Sequence, residues 1–215
     1  MNIFYLILIS ITSAVFSVGI IYINRLVGNK FVDNLDGIQK FHSLPTPRLG
    51  GLAIFIAFLI STFLVPEYKE LMQLIFLSSI PTFFAGFLED LYRNINPRIR
   101  LFGAFVSGIG FVALTGFSVQ SIDIKPFDNI LSIYILSLLF TSFAISGVAN
   151  SINIIDGFHG LASGSLIIMF SAFAIIGWAL EDFLIFNLAI ISIGIFMGFF
   201  IINFPFGYIF LGDAG

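Results

Sequence analysis

Apolar residues run through this chain in long uninterrupted stretches, and polar residues fall into short islands between them. Uncharged apolar runs cover roughly 3–23, 49–65, 71–88, 101–119, 130–149, 161–180 and 183–204. Each is near the roughly 20 residues that a helix needs to cross a hydrocarbon core at about 1.5 Å per residue. Inside a bilayer the backbone must satisfy its own polar groups, so these runs are predicted to be helices. The pattern therefore predicts an all-α polytopic membrane protein of about seven spans. Seven spans place successive connections on alternate sides. One side receives 24–48, 89–100, 150–160 and 205–215, and the other receives 66–70, 120–129 and 181–182.

Charge then orients the bundle. Arg25, Lys30, Lys40, Arg48, Arg93, Arg98 and Arg100 lie in the first set of connections, and only Lys69 and Lys125 in the second. Cytoplasmic loops carry the excess of lysine and arginine, so the first set is predicted to face the cytoplasm and the N-terminus the outside. No basic residue precedes the first apolar run, which predicts a retained span and not a cleaved signal peptide.

Composition agrees with this and narrows the chemistry. The 215 residues are 59% hydrophobic and 10% charged, against about 25% charged in soluble domains. Cysteine is absent, which excludes disulfides and thiolate metal sites. The net charge of −3 averages over two faces of a membrane and decides nothing, but the lack of any strongly basic segment argues against a nucleic-acid partner. No internal repeat or separate soluble domain is visible.

Four polar islands fall on the predicted cytoplasmic side. At Glu89-Asp90 two adjacent carboxylates end the third run, where acids oppose the helix dipole and repel each other. Arg93, Arg98 and Arg100 follow. Acid beside base suits phosphate chemistry, with guanidinium groups for phosphate oxygens. The same arginines would also serve as topology signals facing anionic lipid. In the second island, Asn150, Asn153 and Asp156 recur every third residue and share one helical face. Amide stripes also join membrane helices, but an acid is a costly choice for that purpose. Gly157 and Gly160 then flank Phe158 and His159 and break the helix. The third island, around Pro45-Thr46-Pro47-Arg48 and Gly50-Gly51, reads as a stiff extended lead into a helix, with Lys40, His42 and Arg48 as cations near the membrane surface. In the fourth, Asp213 stands between Gly212 and Ala214-Gly215 on a loop whose backbone permits close ligand approach.

Together HSLPTPRLGG, GFLEDLYRNINPRIRL, NSINIIDGFHGLASG and FPFGYIFLGDAG resemble the polyprenyl-phosphate N-acetylhexosamine-1-phosphate transferase family, glycosyltransferase family 4. Its members start peptidoglycan lipid I, O-antigen, enterobacterial common antigen and teichoic acid linkage units. The Pro-Thr-Pro-Arg wording looks closer to the O-antigen branch. The resemblance implies transfer of a sugar-1-phosphate from a UDP-amino sugar to undecaprenyl phosphate, with release of UMP, at the cytoplasmic face of a bacterial inner membrane. It implies Mg²⁺ held by Asp213 with Asn153 near it. It implies that Asp90 and Glu89 form the acidic pair that activates the acceptor. Asp156 would hold the nucleotide side, with Asn150 and His159 beside it. Lys40, His42, Arg48, Arg98 and Arg100 would meet phosphate oxygens. The bilayer and a second copy, as a homodimer, complete the implied partners.

This chain departs from the family in carrying Glu89 where the pair is usually Asp-Asp, and His159 where Asp is frequent. Family members also continue into further spans and a basic, histidine-containing loop, so residues 1–215 are expected to be the N-terminal part of a longer transferase. Two other classes fit a polar membrane bundle. A transporter would place its acids near the midplane, in two related halves. A structural subunit would not need acids, amides and arginines gathered on one side.

Overall fold

The computed structural model describes residues 3–28, 31–32 and 46–215. Among them are eight α-helices: α1 Ile3–Leu26, α2 Gly50–Leu64, α3 Lys69–Tyr92, α4 Pro97–Thr115, α5 Lys125–Leu131, α6 Tyr134–Ile155, α7 Leu161–Ala179 and α8 Phe183–Asn203. A single 3-10 turn, Pro66–Tyr68, leads into α3. All the helices except α5 coincide with the seven predicted runs. Six are long and apolar enough to cross a membrane, and α2, with 15 residues, is a shorter apolar helix. The protein is an all-α polytopic membrane protein.

Helix boundaries differ from the hydropathy limits in a consistent way. Charge ends an apolar run, but it does not end a helical hydrogen-bond ladder. Helix α3 continues through Glu89 and Asp90 and stops at Arg93, a left-handed C-cap with φ 55°. Helix α4 begins at Pro97, so Arg98 and Arg100 are helical and not in a loop. The reason is local. Asn96 accepts a hydrogen bond from the Arg98 amide at 3.0 Å, and proline is well suited to the first helical position, where no amide partner is needed. The predicted 120–129 connection contains most of α5.

The helices pack side by side, with α6 and α7 also in contact. Helix α7 lies on α8, α8 on α1 and α2, α2 on α3, α3 on α4, and α4 on α6. Lipid tails are as apolar as leucine, so the inward faces are chosen for close approach and not for hydrophobicity. Helix α1 shows this directly. It buries Ile9, Ser13, Ser17, Ile20 and Asn24, spaced by three or four residues. It exposes Ile3, Phe4, Ile7, Ile11, Val15, Val18 and Tyr22.

Opposite α1, α8 presents Gly194 and Gly198. A Cβ on Gly198 would run into the carbonyl of Ser10, and one on Gly194 would sit 3.1 Å from Leu6. Some buried hydroxyls bond within their own helices, as in Ser17 to the Ser13 carbonyl at 2.8 Å and Thr141 to the Ser137 carbonyl at 2.7 Å, while others reach a neighbouring element, as in Ser146 to the Leu101 carbonyl at 3.2 Å. Pro81 interrupts the α3 ladder. The adjacent Thr82 amide donates instead to Ser107 Oγ of α4 at 2.9 Å, the kind of repair that makes proline tolerable in a membrane helix.

Candidate active site

The segment after α8 folds back across the start of α2. There the Gly50 amide donates to the Phe210 carbonyl at 2.9 Å and the Gly51 amide to the Leu211 carbonyl at 2.7 Å. These are the donors that the first turn of a helix leaves without partners. Pro47 accepts from the Phe210 amide at 2.9 Å, and Thr46 Oγ1 donates to the Gly207 carbonyl at 3.1 Å. The stiff lead predicted from the prolines is thus an extended strip that seats 207–211. Close contact requires glycine here: a Cβ on Gly51 would overlap the Gly215 amide.

Asn203, the last residue of α8, ties this segment to a second island. It is 2% exposed. Its Nδ2 donates to the Ile209 carbonyl at 2.6 Å. Its Oδ1 accepts from the Gly160 amide at 2.5 Å and from Ser163 Oγ at 3.5 Å. One buried amide therefore sets the α6–α7 turn against the Asp213 loop. The sequence reading passed over Asn203, although an amide closing an apolar run was a signal that could have found it.

Asp213 is the centre of the assembly, with its side chain only 6% exposed. Asn153 Nδ2 donates to its Oδ1 at 2.8 Å. Arg48 Nη2 reaches its Oδ2 at 3.2 Å. Arg100 Nη1 also pairs with Oδ1 and donates to Asn153 Oδ1 at 3.4 Å. One carboxylate thus gathers α4, α6 and the strip before α2. Burial of an acid at this depth is costly unless it is paired, and two guanidinium groups and an amide supply that pairing. Beside it opens a small cleft lined by Thr82, Gly86, Arg100, Asn150, Asn153 and Asp213, among others. Arg100 Nε is buried there with no hydrogen-bond partner among the described residues.

The acids of α3 and α6 hold backbone. Asp90, 4% exposed, accepts from the amides of Asp213 at 2.9 Å and Ala214 at 3.0 Å. Glu89 Oε2 accepts from the Ile95 amide at 2.6 Å and so closes the α3–α4 turn. Asp156 Oδ2 accepts from the Gly212 amide at 3.2 Å.

Of the residues selected from sequence, the structure brings Arg48, Asp90, Arg100, Asn150, Asn153, Asp156 and Asp213 together. Glu89 is half-buried at the edge. His159 lies on a neighbouring patch, stacked on Phe210 with ring centroids 5.2 Å apart and pressed against Gly207. Its Nδ1 is buried without a partner among the described residues. Arg98 is exposed on the first turn of α4 and does not line the cleft. Lys40 and His42 lie outside the described residues.

Asp213 and Asn153 carry oxygens of the type a hard divalent cation takes, but both Asp213 oxygens are engaged by Arg48, Arg100 and Asn153 Nδ2, so a cation would have to displace these partners. Asp213 and Asn153 offer only oxygen and amide groups beside an open cleft. Mg²⁺ typically takes one or two protein carboxylates and completes its shell with water and phosphate. Among the described residues there is no cluster of three or more His, Asp or Glu side chains able to hold a metal unaided, so substrate oxygens would have to contribute.

Comparison with known proteins reaches the same region. The model of a family described as glycosyl transferase family 4 matches residues 72–215. The phospho-N-acetylmuramoyl-pentapeptide-transferase of Bacillus cytotoxicus is 28% identical over 184 residues, covering 79% of this chain and 56% of that protein. The enzyme of the same name from Bacillus subtilis (strain 168) is 29% identical over 189 residues, with the same two shares. That of Streptococcus sanguinis is 28% identical over 181 residues, covering 79% of this chain and 55% of that protein. The chain spans about half the length of these curated relatives.

Proposed function

The chain belongs to glycosyl transferase family 4, and from that premise we propose that its site transfers a sugar-1-phosphate from a UDP-amino sugar to undecaprenyl phosphate. The observation that carries this reading is the buried Asp213 carboxylate, held by Arg48, Arg100 and Asn153 beside a cleft at one end of an apolar bundle. The relatives are named phospho-N-acetylmuramoyl-pentapeptide-transferases, and transfer of a phospho-sugar is the type of reaction proposed here.

In the proposed reaction an oxygen of the acceptor phosphate attacks the β-phosphorus of the donor. A new P–O bond forms there, and the bond from that phosphorus to the bridging oxygen breaks. UMP leaves with the bridging oxygen, and the sugar remains on a polyprenyl diphosphate. Such transfers demand positioning and charge neutralisation more than covalent help from the protein. Bound Mg²⁺ would neutralise charge on the diphosphate, and Asp213 with Asn153 are the residues to hold it.

Arg48 and Arg100 supply fixed positive charge for phosphate oxygens. Both are partly exposed, at 33% and 23%, so they can turn from Asp213 toward a ligand. Asp156 and Asn150 face the nucleotide side, with His159 and Phe210 next to them. The acceptor phosphate approaches the end of α3 near Glu89, while its tail stays in lipid. The site is cytoplasmic in this reading, in a bacterial inner membrane.

The test is release of UMP from UDP-N-acetylhexosamines by the purified protein with undecaprenyl phosphate. Release should depend on both substrates and stop when divalent cations are chelated. Release that persists in chelator would remove the metal from the reading, and none with any UDP-sugar would remove the donor class.

A further inference from the structure

We propose that Asp90 is a positioning residue that acts through the backbone of the Asp213 loop and not on the acceptor phosphate. This rests on the reading of Asp213 as the group that meets the donor diphosphate. Three observations on different residues converge on it.

First, the two oxygens of Asp90 are divided between two consecutive amides, Oδ1 with Asp213 at 2.9 Å and Oδ2 with Ala214 at 3.0 Å. Consecutive amides that point one way form a concavity suited to an anion. Here the anion is the protein's own carboxylate.

Second, the loop is fitted to this carboxylate. Gly212 has φ +77°, and a Cβ there would lie 2.8 Å from each Asp90 oxygen and collide with the Arg48 carbonyl. Only a residue without a side chain lets the backbone close over Asp90.

Third, the seat extends one turn back along α3. Gly86 and Asp90 are four residues apart and share a helix face. A Cβ on Gly86 would overlap the Asp213 carbonyl. The loop therefore rests on α3 from Gly86 to Asp90, with the acid as its anchor. Asp90 itself is 4% exposed and does not line the cleft.

The chemistry of the side chain explains why an acid stands there. Two partly buried N–H donors need two acceptors, and an ionised carboxylate is acceptor-only. Asparagine would turn an NH₂ toward one of the amides. With that anchor lost, Asp213 would keep its own charge but lose its fixed place between Arg48, Arg100 and Asn153. Groups that orient a metal-binding side chain typically cost 10–100-fold in metal affinity when removed.

Hydrogen exchange and Mn²⁺ binding on the purified protein in detergent test the assignment. In Asp90→Asn, peptides containing residues 212–215 should exchange faster, with α1 and α7 unchanged, and Mn²⁺ affinity measured by paramagnetic resonance should fall by at least about tenfold. Gly86→Ala disturbs the same seat with Asp90 intact and should produce the same two changes. If both variants keep wild-type exchange and Mn²⁺ affinity while Asp90→Asn loses turnover, Asp90 works on substrate and the assignment fails. The exchange measurement needs neither metal nor substrate. Mn²⁺ that fails to bind the wild type would therefore overturn the metal reading of Asp213 while exchange still decides the role of Asp90.

Discussion

The polar contacts of the candidate site converge on one carboxylate, Asp213. Asp213 is covered by two guanidinium groups and one amide drawn from three places in the sequence. Its negative charge is what makes that gathering favourable, because arginine at this depth needs an anionic partner. In Asp213→Asn the carboxamide would still fill the space, but it would leave two cations facing each other without their anion. Turnover should fall by at least about 10²-fold, the scale for loss of one preorganised charge-stabilising group, while the protein still inserts and purifies as a folded species. UMP release measured at matched protein and Mg²⁺ checks this, and near-normal turnover would move the metal elsewhere. Asp213 was legible in the sequence because an acid between glycines in an oily chain is conspicuous. Asn203 and Gly86 were not legible as site residues. Both sit at the margins of apolar runs, and their importance comes from contacts to residues 209 and 213 that no local pattern encodes.

Among the helices, side-chain size decides more than polarity. The α1–α8 crossing depends on Gly198, whose α-carbon lies against the Ser10 carbonyl. Gly198→Leu would force the two helices apart, and overpacking of this kind costs about 1–3 kcal/mol. Gly147 on α6 has nothing within contact range of an added Cβ, so Gly147→Leu serves as the control. Thermal unfolding in detergent should show a lower midpoint for the first variant and little change for the second. Equal midpoints would mean that the crossing is not tightly held. Uncharged apolar runs located the seven apolar helices because lipid solvation acts on whole segments. It misplaced the ends of α3 and α4 because capping by Asn96 and backbone hydrogen bonding carry a helix past its charged residues.

For the whole molecule, the decisive property is that polar groups gather at one end. Hydrogen bonds now join residues of the 46–51 strip, the end of α3, α4, the end of α6 and the 203–215 segment. If that end faces the cytoplasm, cysteines introduced singly at Asn94 and Ser151 should resist an impermeant thiol reagent applied to intact cells. One at Ser121, exposed on the opposite connection, should react. Labelling at Asn94 or Ser151 would reverse the orientation argued from the seven-to-two division of basic residues. The amino-acid sequence by itself determined the membrane class and the apolar helices. Those follow from transfer of segments into lipid and from residue chemistry, which are local properties. The tertiary structure alone decided what each polar group touches. Asp90 meets backbone amides 123 and 124 residues away, Glu89 closes a turn, and His159 stacks on Phe210. Such pairings depend on helices approaching to within a side chain's width, and that approach is set by the joint fit of glycines and serines on several helices at once.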